Sequence, residues 1–294
     1  MKNPKVSICI PAFKQPELLC KAIDSVLMQK FKDYEIIITD DSPDNSVESV
    51  IYKYRDFPNI HFFRNVQTLG SPENWNEAIR KASGNYIKIL HTDDYFTFDY
   101  SLEFYVKLLD ENKQADFAFS ASKVIFDSGL NYRNIASKVE LSRIISNPNI
   151  LLYENKIGAP SAVIYRKSKH IFFDTNLKWL VDIEFYIRKI RNSHFAFSEF
   201  DLITTYGAIG RVTDICSNNL EVEIFEYFYV YEKIRSCKMF FYSYNNYKVI
   251  IKMFFILRKY SVSSATILRD CGFTGKLYWE MRLLIFFNKM LIFK

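Results

Sequence analysis

Two pairs of adjacent aspartates follow short apolar runs and carry the clearest chemical signal in this sequence. Asp40 and Asp41 come directly after the run YEIIIT, and Asp93 and Asp94 follow the run NYIKIL by two residues. Carboxylates at such positions can hold a hard divalent cation through one or two oxygens, while water and a diphosphate complete the coordination. The first pair could then accept hydrogen bonds from a nucleobase or a ribose. Either pair alone is typical of a turn in which Asp caps the next helix, so only their joint occurrence favours a binding site.

These aspartates require strands that end at one edge of a sheet. The runs KVSICI at 5–10 and YEIIIT at 34–39 are short, apolar and partly β-branched, which indicates buried parallel strands. Between them, residues 16–29 place Leu, Ala, Ile and Val on one helical face, and Pro16 suits a first helical turn. The three segments therefore predict one βαβ unit.

The alternation of strands and helices continues along the chain. Helices are predicted near 44–55, 71–83 and 98–110, and strands at 59–63, at 85–90 and in ADFAFSAS. This order implies an α/β fold with an open, mostly parallel sheet flanked by helices. Ligands of such folds bind at the carboxyl ends of the strands, where Pro11, Phe13 and both aspartate pairs are expected.

Composition excludes several other classes of protein. Of the 294 residues, 49% are apolar and 24% are charged, a globular balance that excludes disordered, collagen-like and coiled-coil sequences. The eight glycines form neither GxGxxG nor GxxxxGK[ST], so a glycine-rich phosphate loop is not expected. Five scattered cysteines lack the spacing of a disulfide framework or a zinc site and favour a reduced cytosolic compartment. The first apolar run is too short and too early for a signal peptide, and no uninterrupted apolar window is long enough for a membrane span.

The C-terminal part of the chain is basic and aromatic. Residues 239–294 contain nine Lys and Arg against two acidic residues, a net charge of +7, so the rest of the chain carries −1 of the total +6. Basic amphipathic segments of this kind bind anionic membrane surfaces, with aromatic rings at the interface. The alternative is a helical subdomain that packs on the core with its basic face in water. We expect no nucleic-acid partner, because large aliphatic residues separate the basic ones.

Four motifs that occur in order resemble those of the family 2 inverting glycosyltransferases, which have the GT-A fold. They are PAF at 11–13, DDSPDN at 40–45, the segment from NVQTLG to ASG at 65–84, and HTDD at 91–94. The resemblance covers residues 4–215. It implies a GT-A glycosyltransferase domain over 1–215, followed by a helical, basic and aromatic C-terminal extension over 216–294.

The resemblance also implies roles for single residues. Phe13, two residues after Pro11, would stack near the nucleobase of the donor. Asp41 would bind uracil or its equivalent, Asp93 would lie on the ribose side, and Asp94 would bind the metal. The implied cofactor is Mn²⁺ or Mg²⁺, and the implied donor is a nucleotide-diphospho-sugar, most simply a UDP-sugar.

The second half of the pattern supplies a catalytic base. The segment GAPSAVIYRK precedes WLVDIEFYIRKI, in which Asp182 matches the base of the family and Glu184 matches its second acid. Displacement at the anomeric carbon requires a carboxylate that removes a proton from the attacking hydroxyl. Without the upstream motifs, Asp182 would be interpreted as flanking an amphipathic helix. Arg211 is a candidate ligand of the diphosphate, with a solvated loop charge as the alternative.

The sequence departs from the family pattern in three places. DDSPDN is one residue shorter than the usual motif, Lys14 and Gln15 stand where an Asn usually follows the aromatic residue, and Val181 replaces the acid before the base. None of these departures removes a carboxylate that the mechanism requires. The QxxRW motif of processive synthases is absent, which favours transfer of one sugar per encounter. His91 is interpreted as a strand-end residue rather than a ligand.

These features predict a non-processive, metal-dependent inverting glycosyltransferase of cell-surface polysaccharide synthesis. Its acceptor would be a hydroxyl of a glycan or lipid-linked glycan, and its location the cytoplasmic face of the membrane, as a peripheral protein. Two alternatives stay open. One is an inactive GT-A-like module that binds the membrane surface. The other is a sugar nucleotidyltransferase, which should have a glycine-rich basic loop after its first strand, where PAFKQ contains no glycine.

Overall fold

The computed structural model of the chain describes residues 3–126, 128–168, 171–207, 216, 219–235 and 244–259. The strands are β1 Val6–Ala12, β2 Tyr34–Asp40, β3 Ile60–Arg64, β4 Tyr86–Ile89, β5 Asp94–Phe96, β6 Ala115–Ile125, β7 Asn131–Asn134, β8 Val163–Arg166 and β9 His194–Tyr206. The helices are α1 Pro16–Leu27, α2 Ser46–Ile51, α3 Glu73–Lys81, α4 Ser101–Glu111, α5 Lys138–Ser146, α6 Ile150–Tyr153, α7 Val181–Asn192, α8 Leu220–Arg235 and α9 Tyr244–Lys259.

The chain divides into two compact units. The first consists of Met1–Glu140, Lys156–Asn176 and Arg188–Ile209, and the second consists of Leu141–Asn155, Leu177–Ile187 and Gly210–Lys294. The strands given above all belong to the first unit. The predicted division into a domain over 1–215 and an extension over 216–294 stays a prediction.

The sheet of the first unit has a parallel half built from the predicted strands. The strand order is β3-β2-β1-β4-β8-β6-β9-β5, with β7 paired to β6. β1 is parallel to β2 and to β4, and β2 is parallel to β3. The chain therefore moves outward from β1 to β3 and returns on the other side of β1, which creates a topological switch point beside β1. The predicted α/β fold with helices around a largely parallel sheet is confirmed.

The other half of the sheet mixes strand directions. β8 is antiparallel to both β4 and β6, and β5 is antiparallel to β9. β6 and β9 are parallel, with breaks in register around Ala121. Because β5 begins at Asp94, the second aspartate pair is held between two strands rather than in an open loop.

The core of the first unit forms because the strands are apolar on both faces. Every residue of β1 and of β2 is buried, as expected for strands covered by helices on both sides. α1 turns an apolar face inward with helical spacing. The inward residues are Leu19, Ala22, Ile23 and Val26, which pack with Val6, Ile8, Ile10, Ile36 and Ile38.

Gly84 lies between the end of α3 at Lys81 and the start of β4 at Tyr86. A Cβ atom on Gly84 would lie 2.6 Å from the backbone nitrogen of Ser7, and the Gly84 amide donates to Ser7 Oγ at 2.7 Å. Glycine is therefore required by close approach of two backbones. Ser7 Oγ in turn donates to Glu35 at 2.6 Å, which ties together the amino ends of β1, β2 and β4.

The second unit contains a packed helical part formed by α6, α8 and α9. α9 buries Val249, Ile250, Met253 and Ile256. Lys252 Nζ donates to the carbonyl of Tyr153 at 2.6 Å, and Lys259 pairs with Glu223 at 2.9 Å.

The apolar face of α9 therefore packs inside its own unit. Both the membrane-surface role and the packed-subdomain role of the basic region stay predictions. Residues 260–294, which hold the rest of the basic region, lie outside the described residues. Among the helices that the structure describes, none is long and apolar enough to cross a membrane.

Candidate functional site

The carboxyl ends of β1, β2 and β4 meet at one edge of the sheet. Their register pairs Ala12 with Asp40 and Cys9 with Ile89. The segments after these strands contain Phe13, Asp41, Asp93 and Asp94, so the first unit brings these predicted site residues to a common edge. Pro11 lies inside β1 and is buried.

The turn after β1 has an unusual backbone. Lys14 and Gln15 both have positive φ angles, 57° and 55°. Non-glycine residues in this region carry strain that is concentrated at functional sites. The Lys14 amide donates to Ser42 Oγ at 2.7 Å, which holds the turn against the segment after β2. Phe13, just before the turn, is 49% exposed, so its ring is open to a stacking partner.

Asp41 holds the loop that leads into α3. Its Oδ1 accepts hydrogen bonds from Asn65 Nδ2 at 3.0 Å and from the Leu69 amide at 2.7 Å. Its Oδ2 accepts from the amide of Gly70 at 2.7 Å. The carboxylate predicted to bind a base is thus already used in three bonds, although carboxylate oxygens can accept further ones. Its role as a base ligand stays a prediction.

Asp40 offers a second acceptor beside it. The residue is fully buried, and its Oδ1 accepts from the amide of Ser42 at 2.9 Å. Its Oδ2 has no hydrogen-bond partner among the residues described. A buried carboxylate oxygen without a partner is costly, so a donor N–H or O–H from a ligand would be stabilised there.

The second aspartate pair lies in a tightly fixed turn. The Asp94 amide donates to the carbonyl of His91 at 3.0 Å. The His91 amide donates to Ser161 Oγ at 2.9 Å, and the Tyr206 amide donates to the carbonyl of Asp93 at 3.0 Å. The turn is therefore attached to both β9 and the segment before β8, and its side chains are presented by a rigid backbone.

This turn brings three metal-ligand types together. One donor atom from each of His91, Asp93 and Asp94 lies within 4.8 Å of the others. Asp94 is only 2% exposed, yet its Oδ1 has no partner in the described part of the chain, and neither does Nε2 of His91. His91 is thus close enough to both carboxylates to be a candidate ligand, and its interpretation as a strand-end residue stays a prediction.

The electrostatics of the turn fit a bound cation. Burial, followed by the charge of Asp93, raises the pKa of Asp94 to about 8. Burial also lowers the pKa of His91. A divalent cation binds deprotonated carboxylate and neutral imidazole, and its charge would offset the burial of the Asp94 carboxylate. The residues present therefore fit a metal held by Asp94 with Asp93 and His91.

Two residues that the sequence analysis did not indicate, Ser161 and Lys88, help to fix this turn through hydrogen bonds. Ser161 is fully buried in the short 3₁₀ turn before β8, and it hydrogen-bonds to Asp94 as well as to His91. Nζ of Lys88, which is also fully buried, donates to the Ser161 carbonyl and lies 4.4 Å from the ring centroid of Tyr105. The motif GAPSAV pointed to this segment, but no local spacing relates residues 88 and 161.

We expect Ser161→Ala to weaken metal-dependent donor binding by about tenfold, the lower end of the range for outer-shell changes at metal sites. The substitution removes the acceptor of the His91 amide and a partner of Asp94. Ser7→Ala is the matched control, because Ser7 is equally buried but lies at the amino ends of the strands. Isothermal titration of nucleotide with Mn²⁺ compares the variants. Equal loss of affinity in both would mean that Ser161 acts only through stability.

Asp182 lies in the second unit, at the start of α7. Its Oδ2 accepts from Asn155 Nδ2 at 3.0 Å, and its Oδ1 accepts from the Ile183 amide at 2.8 Å. Burial is the main cause that raises the pKa of Asp182 to about 7, and the charge of Glu226 adds to it. A carboxylate with a pKa near neutrality is suited to general-base work.

Glu226, which the sequence pattern did not indicate, anchors the segment before α7. It is buried, and its carboxylate accepts hydrogen bonds from the backbone amides of Lys178, Trp179 and Leu180 at 2.7, 2.9 and 2.7 Å.

Glu184, the predicted second acid, pairs with Lys233 at 2.7 Å in the same unit. Arg211 lies outside the described residues.

The fold and the position of the strand-end carboxylates are those of a glycosyltransferase of the GT-A type. The family model for glycosyl transferase family 2 matches residues 7–172. An uncharacterized glycosyltransferase of Methanocaldococcus jannaschii is 30% identical over 210 residues, which cover 70% of each chain. The chain therefore belongs to glycosyl transferase family 2, and the resemblance seen in its motifs is confirmed.

A functionally named relative matches over a shorter stretch. The GalNAc(5)-diNAcBac-PP-undecaprenol beta-1,3-glucosyltransferase of Campylobacter jejuni is 38% identical over 93 residues, 31% of this chain and 30% of that one. Two solved structures share the fold. S. aureus TarS 1-349 with UDP-GlcNAc has a TM-score of 0.66 at 20% identity, over 90% of this chain and 75% of that one. Mannosyltransferase PcManGT from Pyrobaculum calidifontis, with GDP-Man and Mn²⁺, has a TM-score of 0.61 at 13% identity, over 100% and 82%.

Proposed function

We propose that this glycosyltransferase moves one sugar per encounter from a nucleotide-diphosphate donor, most simply a UDP-sugar, to a hydroxyl of a glycan or lipid-linked glycan, with inversion. The observation that carries the proposal is the fixed turn at 91–94, where a buried Asp94 oxygen at the carboxyl edge of the sheet has no hydrogen-bond partner among the described residues. The names of relatives support cell-surface glycan synthesis, since the Campylobacter protein is named for an undecaprenol-linked glycan.

The proposed reaction divides among three groups of residues. Phe13, Asp40 and Asp41 bind the nucleoside. Asp94, with Asp93 beside it, holds a divalent cation, which when bound would neutralise charge on the departing diphosphate. Asp182 accepts the proton of the attacking hydroxyl.

A thermal-shift screen of UDP-, GDP- and other nucleotide sugars, with Mn²⁺ and with EDTA, tests this proposal. A donor present at 100 times its dissociation constant should add about 2.7 kcal/mol to the free energy of unfolding. We expect this stabilisation for one nucleotide class only, and only with the cation. Stabilisation that is equal in EDTA would exclude the metal role, and none with any donor would favour an inactive binding module.

We also propose that the basic residues beyond α9 hold the protein on an anionic membrane surface, at the cytoplasmic face. Each basic residue near such a surface contributes about 1 kcal/mol. Replacing Lys276, Arg282 and Lys289 by Gln should therefore lower vesicle binding by roughly 100-fold or more. A matched triple variant, in which Lys53, Lys107 and Lys138 become Gln, should bind like the parent. Co-sedimentation with phosphatidylserine vesicles at two salt concentrations measures this, and no binding by the parent would leave the packed subdomain as the explanation of the basic region.

A further inference from the structure

Within the proposed donor site, we infer that His91 contributes an imidazole nitrogen to the divalent cation, so that the site selects Mn²⁺ over Mg²⁺. The inference rests on the proposed function, since it takes a cation held by Asp94 as given. It adds a ligand of a different chemical type. The sequence left the choice between Mn²⁺ and Mg²⁺ open. The inference assigns that choice to the side chain of His91.

The geometry places the imidazole within reach of the carboxylates. The donor atoms of His91, Asp93 and Asp94 lie within 4.8 Å of one another. Around a cation with ligands at about 2.1 Å, opposite donor atoms are about 4.2 Å apart and neighbouring ones about 3.0 Å apart, and any three donors include at least two neighbouring pairs. Side-chain rotations that move the donor atoms by up to about 2 Å therefore bring all three into one coordination sphere.

The His91 ring is held in place but its Nε2 is not satisfied. The ring packs against Trp75 at 4.6 Å between centroids, and Trp75 packs edge-on against Phe173 at 5.1 Å. Asn76 fixes the backbone of Phe173 through two hydrogen bonds, at 3.0 Å and 2.8 Å. Nε2 of His91 and Oδ1 of Asp94 are both buried without a partner among the described residues. One cation would satisfy both atoms.

An imidazole ligand should make the site prefer Mn²⁺ over Mg²⁺. Mg²⁺ binds through oxygen ligands and water and demands near-ideal octahedral geometry. Imidazole is better suited to transition metals, whose affinity for nitrogen ligands exceeds that of the hard alkaline-earth ions. A site with one imidazole and two carboxylates should therefore hold Mn²⁺ more tightly than Mg²⁺. Removing the imidazole should reduce that preference and leave Mg²⁺ binding little changed.

Pulsed EPR of Mn²⁺ added alone to the full chain tests the inference directly. We expect electron spin-echo modulation from a coordinated nitrogen, which changes to the ¹⁵N pattern when the histidines carry ¹⁵N-labelled imidazole. His91→Asn should remove the modulation. His61→Asn, a change at a partly exposed histidine of β3, should retain it. Competition between Mn²⁺ and Mg²⁺ should show that His91→Asn lowers the ratio of Mn²⁺ affinity to Mg²⁺ affinity by about tenfold or more.

Each outcome has a definite meaning. Mn²⁺ bound without nitrogen coupling, or coupling that persists in His91→Asn, overturns the role of His91; the metal role of Asp94 then survives if Asp94→Asn abolishes Mn²⁺ binding. If the parent shows the signal of aqueous Mn²⁺ and no bound Mn²⁺, both this inference and the metal part of the proposed function are overturned. If His91→Asn fails to fold, the spectrum of the ¹⁵N-labelled parent still decides whether histidine is a ligand.

Discussion

Asp94→Asn should abolish metal-dependent transfer while making the metal-free protein more stable at alkaline pH. The carboxylate is buried, and one of its oxygens has no partner in the described structure. Asn is nearly isosteric but cannot serve as an anionic ligand, so Mn²⁺ affinity in the presence of donor should fall by about 100-fold or more. Isothermal titration with Mn²⁺ and nucleotide measures this loss.

The stability half of this prediction follows from the sign of the pKa shift. Burial and the charge of Asp93 raise the pKa of Asp94 to about 8, above its value of about 3.9 in an unfolded chain. Ionisation in the folded protein is thus disfavoured, and the parent loses stability as pH rises from about 4 through about 8. Asn has no such loss. Urea unfolding in EDTA measures the free energy of unfolding of parent and variant at pH 5 and pH 9. We expect the variant to be more stable relative to the parent at pH 9 than at pH 5. A relative gain in stability at pH 5 alone would contradict the account.

Asp182→Asn should reduce turnover by roughly 100-fold or more, the range for loss of a positioned general base, with donor affinity nearly unchanged. The hydrogen bonds with Asn155 and the Ile183 amide explain why the side chain is fixed. Its raised pKa, about 7, adds a pH signature. The kcat/KM of the parent should fall tenfold for each pH unit below about 7 as the base is protonated. The kcat/KM of the variant should not show this fall at acidic pH.

Glu184→Gln serves as the comparison for Asp182. Glu184 lies on the same helix and pairs with Lys233 at 2.7 Å, so its loss should affect stability more than turnover. Steady-state kinetics of both variants with saturating donor decide the assignment. If Asp182→Asn keeps more than about a tenth of parent turnover, the base is a different residue.

The parallel half of the fold could be predicted from sequence because its signals are local. Apolar runs that end in Pro11 or in aspartate pairs mark strands, and the apolar face of residues 16–29 marks α1. The mixed half could not be predicted in the same way. The antiparallel pairing of β8 with β4 and β6, and that of β5 with β9, join segments far apart in sequence, and no short-range pattern encodes such contacts.

The site shows the same contrast. Asp93 and Asp94 are visible in the sequence because they are adjacent and follow a strand. The participation of Ser161 and Lys88 depends on hydrogen bonds between a side chain and a backbone group that are 70 and 73 residues apart in sequence. The anchoring of residues 178–180 by Glu226 depends on a contact between a helix and a turn. The position of His91 beside the carboxylates could not be predicted, because a histidine at a strand end has no spacing signal. Only the folded turn shows it beside two carboxylates.

Hydrolysis of the donor in the absence of acceptor, followed by proton NMR of the released sugar, tests the central claim most directly. With an α-linked nucleotide sugar and Mn²⁺, the account predicts that the first-formed sugar is the β-anomer, that EDTA stops the reaction, and that Asp94→Asn does not catalyse it. Release of the α-anomer would contradict inversion. Failure to hydrolyse any nucleotide sugar with Mn²⁺ or Mg²⁺, by protein shown to be folded, would contradict the assignment of a metal-dependent donor site to the turn at residues 91–94.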